Sequence, residues 1–203
     1  MRALSVNTNL FESMHARVNK LTEHYLPMKE SVLGDYSEAQ LDDANAFILL
    51  AHAELEEYIE CLASAVCDAL VNRVKANRYD SVTSVFLMRT IASSRQDTFV
   101  PLEVALEGQG RHQKTVRANN GIKDKDYRKL FDPLGVDVEA LNSDIMSESD
   151  TFGAKRGRIA HLGFQAGIQH NVNPYEEREL IKLLLEHLKE FDTSIIGMFP
   201  ELR

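Results

Sequence analysis

The chain has 203 residues, 44% of them hydrophobic, with five prolines, ten glycines and a net charge of −8. It is long enough to bury one sizeable core, and no run approaches the roughly 20 apolar residues that span a bilayer. It opens without the apolar stretch of a secretory signal, and its acidity argues against a general nucleic-acid coat protein.

In chain order, Leu10, Met14, Val18, Leu21 and Tyr25 stand at helical spacing, so a helix is expected over about 10–26, with Asn9 and Glu12 as a cap pair. Pro27 and Gly34 mark a loop. Ser37 and Gln40 then open the strongest helix, whose apolar positions run from Leu41 through Ile48, Leu55, Leu62 and Leu70 to Val74. So long a stripe needs several partners, because one helix cannot bury it alone. Residues 81–94 read as helical, and Pro101 reads as an interruption. Gly108 and Gly110 read as punctuation before short helices at 111–119 and 124–131. Asp137 is expected to cap a helix over about 138–147, followed by a glycine-bearing helix over about 150–168. Asn173, Pro174 and Glu176 form a cap, first-position and third-position set for a last helix to about 198. No linker or repeat is visible. The expectation is one all-α domain over residues 1–203, an up-and-down bundle with extra short helices.

Cys61 and Cys67 stand six apart on the long helix, too far around its axis for a disulfide, and read as small apolar residues in a reducing compartment. No CxxC or HExxH occurs and no two histidines stand four apart, so neither a metal nor another cofactor is expected. A cytoplasmic protein without membrane contact follows. Charge is unevenly spread: residues 111–129 are strongly basic and 137–150 carry acids and no bases. Such blocks are usually solvated helix faces. The alternative is an acidic protein with one basic cleft suited to an anionic substrate.

The stretch AKRGRIAHLG, residues 154–163, draws attention because Gly153, Gly157, Gly163 and Gly167 crowd around it. Each costs a helix about 0.5–1 kcal/mol relative to alanine, which invites a reason such as close backbone access. An arginine and a histidine at this spacing arise about once by chance in a chain of this composition, and a second pair, Arg17 and His24, reads as solvent-facing. Arg156 and His161 lie about 140° apart on a straight helix. His161 shares its face with Gly157, Arg158 and Gln165.

KRGRIAHLG, late in an all-α chain and preceded by AHAELEEYIECL, resembles the HEPN superfamily and within it the RiboL-PSP-HEPN group. That group's signature is an arginine, usually a polar residue, three more residues and a histidine, often as R-N-x-I-A-H-G. Arg156, Ile159, Ala160 and His161 match it; Gly157 replaces the polar residue, and the glycine after the histidine is displaced to Gly163. Glu56 falls where the group carries a glutamate. The likeness spans roughly residues 40–195, with the helix at 10–26 packing on that core.

The resemblance implies a metal-independent endoribonuclease of toxin–antitoxin or antiphage defence systems. It also implies a homodimer in which two motifs line one cleft, with an antitoxin or other defence protein as a further partner. An imidazole near its ordinary pKa can exchange protons at neutral pH, giving His161 the part of base or acid. Arg156 would steady the phosphorane charge. Glu56 borders the apolar stripe, where a carboxylate is costly unless paired, and Arg156 is its natural partner. Lys155, Arg158 and Gln165 are the candidate substrate contacts. Ordinary surface charge is the competing reading for Lys155, Arg158 and the 111–129 block. Two rivals remain: a non-catalytic HEPN-like dimer that binds a partner protein, RNA or nucleotide, and an all-α adaptor with no ligand.

Overall fold

The computed structural model describes residues 7–31, 35–93, 99–162 and 172–203, the side chains of 161 and 162 excepted. The chain is all-α, with no strand among the described residues. In order the helices are α1 (Asn9–Tyr25), α2 (Glu38–Lys75), α3 (Ser81–Ala92), α4 (Pro101–Arg117), α5 (Asp124–Phe131), α6 (Val138–Leu141), α7 (Ser143–Leu162) and α8 (Pro174–Met198). Short 3₁₀ turns at Asp132–Leu134 and Pro200–Leu202 supplement them.

The 38 residues of α2 form the axis of the bundle. Ser37 and Gln40 cap it reciprocally, the backbone of each donating to the side chain of the other. Its apolar stripe (Phe47, Ile48, Ala51, Leu55, Ile59, Leu62, Val66 and Leu70) is almost wholly removed from water. α1, α4, α7 and α8 all pack against α2 and share the burial of that stripe. Each fully buried large side chain contributes roughly 1.5–3 kcal/mol. Tyr127, Phe131 and Phe191 lock α5 to α8 through edge-to-face and stacked rings.

Polar ties fix the ends. Asp192, fully buried on α8, accepts from the Thr8 backbone N–H and hydroxyl, both at 2.7 Å, and from the Tyr58 hydroxyl at 2.9 Å. Arg178 of α8 donates to the carbonyls of Thr22 and Leu26, the open end of α1. Buried Arg73 ties the end of α2 to Asp80, Glu201 and the Met198 carbonyl.

Several local readings are corrected. The cap of α1 is Thr8, whose hydroxyl accepts from the Phe11 N–H, not Asn9. Pro101 opens a helix instead of interrupting one: it occupies the first turn of α4, where its missing N–H costs nothing. α4 then runs through Gly108 and Gly110, so no separate helix begins at 111. Gly108 is needed because α3 crosses there: a Cβ would stand 2.7 Å from Thr90 Oγ1 and 2.8 Å from Phe86 Cζ. The helix expected over 138–147 breaks at Asn142, whose side chain accepts from the backbone N–H groups of Asp144 and Ile145 and so starts α7. Cys67 is buried, but Cys61 is exposed. Arg17 and His24 are both exposed, as expected, and Arg17 also pairs with Glu54 at 2.6 Å.

Candidate active site

α2 supplies three polar side chains, His52, Glu56 and Glu60, at successive four-residue steps, which stack them along one face. α7 faces them with Arg156, and the segment between Arg117 and α5 closes one side. His52 is 2% exposed. Its Nδ1 lies 3.5 Å from Glu56 Oε2, and the Glu56 side chain is 20% exposed. Burial first, then the charges of Arg156 and Lys123, push the His52 imidazole down to about 4, so it is neutral at physiological pH. Burial, the Glu60 carboxylate and, more weakly, Asp126 raise the Glu56 carboxyl, while Arg156 draws it the other way. Arg156, half-buried on α7, therefore directs its charge at both groups, although no ion pair of 4 Å or less joins it to Glu56 among the described residues.

The adjoining segment is pinned from both sides. Asn119 donates to Glu60 on α2 and to the Gly121 carbonyl, each at 2.9 Å. Buried Asp126 accepts from the Lys123 N–H at 3.0 Å, and the Asp124 N–H donates to Asp150 of α7 at 2.9 Å. Lys123 is thereby held beside α7, where its stem lies over Gly153: a Cβ there would meet Lys123 Cγ at 3.1 Å. One turn on, a Cβ at Gly157 would meet nothing within 4 Å among the described residues.

The other expected site residues fall in different places. Lys155 turns to α8, where its ammonium lies 2.5 Å from Oε1 of Glu177, a carboxylate only 3% exposed. Arg158 is exposed, and its charge also reaches Glu177. His161 stands on the last turn of α7, but its side chain lies outside the described residues, as does all of Gln165. Arg156 and Glu56 are thus drawn to one place, while Lys155 and Arg158 belong to the α7–α8 side. His52 and Lys123 were not singled out from the sequence. The available signal for His52 was its position on the buried stripe, four residues before Glu56.

Among the described residues no group of three or more His, Cys, Asp or Glu side chains could hold a metal ion. Hollows of about 390 and 250 Å³ lie along the later half of α2, around Arg73 and Glu201 and around His112 and Arg117, and no residue of the Arg156 cluster lines either. Among the described residues no helix is long and apolar enough to cross a membrane.

The family comparison decides the wider setting: the RiboL-PSP-HEPN profile matches residues 12–197. The chain belongs to the RiboL-PSP-HEPN family. The match takes in α1 through nearly all of α8, so the Arg156 cluster lies inside the HEPN domain and is not an appendage to it. No curated protein and no solved structure matches the chain.

Proposed function

We propose that this HEPN protein is a metal-independent endoribonuclease. The observation that carries the reading is the packing of α7, which bears Arg156 and His161, against α2, which bears His52 and Glu56, with the charge of Arg156 acting on both of those side chains. The 2′-oxygen of RNA attacks the adjacent phosphorus as the bond to the 5′-oxygen breaks. One imidazole takes the 2′-hydroxyl proton, and a proton returns to the leaving 5′-oxygen. The products carry a 2′,3′-cyclic phosphate and a 5′-hydroxyl. His161 is the proton-exchanging group, and Arg156 offers a permanently charged fork to the pentavalent phosphate. Glu56 attracts the guanidinium through its charge from beyond ion-pair distance. Two chains would bring two copies of His161 to one cleft, supplying base and acid together. A toxin–antitoxin or antiphage setting suits such an activity, with a second protein restraining it.

His161→Ala and Arg156→Ala are expected to reduce RNA cleavage by roughly 10²- to 10⁴-fold while leaving the helical circular-dichroism spectrum intact. Full cleavage by a folded His161→Ala chain would remove the proposal. The open position at Gly157, where the family usually carries a polar side chain, favours a second reading, a non-catalytic dimer that binds RNA, a nucleotide or a protein. RNA bound but uncut by the wild-type chain would support it.

A further inference from the structure

Among the described residues, partly buried cations are mostly held by hydrogen-bonded partners; Arg178, for one, donates to the carbonyls of Thr22 and Leu26. Arg17, Arg111, Arg128 and Lys155 each have a carboxylate partner on their own or a neighbouring helix. Lys123 and Arg156 are both half-buried, yet neither has a carboxylate within 4 Å among the described residues. Both direct their charge at the same neutral imidazole, His52. Glu56 acts on Arg156 only from beyond 4 Å, so among the described residues neither half-buried cation has a bonded counter-anion, which a bound anion would supply.

The structure also shows how the lysine gets there. Its backbone N–H is held by Asp126, and the next N–H by Asp150 of α7. Its stem lies on Gly153, with Cγ 3.1 Å and Cε 3.5 Å from where a side chain would begin. Gly153, Gly157 and His161 follow at four-residue steps along α7, and Gly157 is open. The bare backbone therefore runs from beneath the lysine at Gly153 to Gly157, with no side chain of the described residues over the second glycine. This supplies a reason for two helix-weakening glycines within one turn of Arg156.

We propose that Lys123 is a second phosphate-binding cation of the site, laid into a glycine-floored channel on α7 so that it and Arg156 clasp the backbone of single-stranded RNA. The assignment rests on the ribonuclease reading, and it can fail separately from it. Binding of a mixed-sequence 2′-O-methyl RNA, which lacks the attacking hydroxyl, is followed by fluorescence anisotropy across a salt series. Lys123→Gln should weaken binding about 5- to 10-fold at low salt and lower the slope of log affinity against log salt by about 0.7, the value for one single-strand phosphate contact. Lys123→Arg should restore most of both. Gly153→Ala should weaken binding in the wild-type background and have no effect in the Lys123→Gln background, a dependence that a merely structural glycine would not show.

Unchanged affinity and slope in folded Lys123→Gln, with binding lost in Arg156→Ala, would overturn the assignment and leave the nuclease reading standing. A wild-type chain that does not bind the probe would overturn it as well. Lys123-dependent binding by a chain that cuts no unmodified RNA would uphold the contact and defeat the nuclease reading.

Discussion

The Lys155 ammonium lies 2.5 Å from Oε1 of the buried Glu177 carboxylate, while the next residue, Arg156, sends its charge the other way, towards α2. Two adjacent cations are separated by the roughly 100° turn of the helix into a fastening and a candidate site residue. Lys155→Met should therefore destabilise the fold by about 3 kcal/mol, because it strands a buried charge. Adding Glu177→Leu should recover most of that loss. Urea unfolding of the two variants checks this; a Lys155→Met chain as stable as wild type would contradict it.

His52 gives the fold an acid-sensitive element. Its folded pKa, about 4, lies below the ordinary 6.5. The unfolded chain takes up that proton first, so stability is lost as pH falls from about 6.5 to about 4, by roughly 3 kcal/mol in all. His112, held low by burial and opposed by its bond to the Leu130 carbonyl, acts in the same direction. His187, raised by Glu148, contributes stability that is complete below its unfolded value and fades as pH climbs through the raised one. Comparing wild type with His52→Gln isolates the first effect. The stability difference between the two should shrink between pH 7.5 and pH 4.5, as measured by urea unfolding.

The long elements were legible because their signals were redundant. Ser37 with Gln40, and Asn173 with Pro174, mark starts that the backbone geometry repeats, and the stripe of α2 needs no context to be read. α4 was misread because Gly108 is a packing residue: its missing side chain admits Phe86 and Thr90 of α3, which spacing along one helix cannot reveal. The candidate site was half legible for the same reason. Arg156 and Glu56 stand out through their motif and their place on a stripe. Lys123 enters only through the fold, from a segment whose charge reads as ordinary surface, and His52 looks like core until its neighbours are known.

Gly157 can be tested directly, since a Cβ there meets nothing within 4 Å among the described residues. Gly157→Asn restores the residue type usual in the family and removes a helix-weakening glycine, so the fold should gain a few tenths of a kcal/mol. RNA cleavage should fall, because the new side chain stands on the bare backbone between Lys123 and the histidine end of α7. A stable Gly157→Asn chain that cleaves at or above the wild-type level would mean that the bare backbone at this step is not needed for access.

Asp192 is the clearest structural polar residue, fully buried and accepting from Thr8 and Tyr58. Asp192→Ala should cost about 3 kcal/mol or more by leaving those donors unpaired. Hydrogen exchange should show the α1 amides losing protection before those in the middle of α2. Equal protection of α1 in variant and wild type would contradict the role of this contact.

The most direct measurement is the chemistry of the cut ends, made with wild-type protein and single-stranded RNA in excess EDTA. Cleavage that proceeds and leaves 2′,3′-cyclic phosphate and 5′-hydroxyl termini, and that is lost in Arg156→Ala, is the predicted result. RNA left intact, or cut to 3′-hydroxyl and 5′-phosphate ends, would contradict the account.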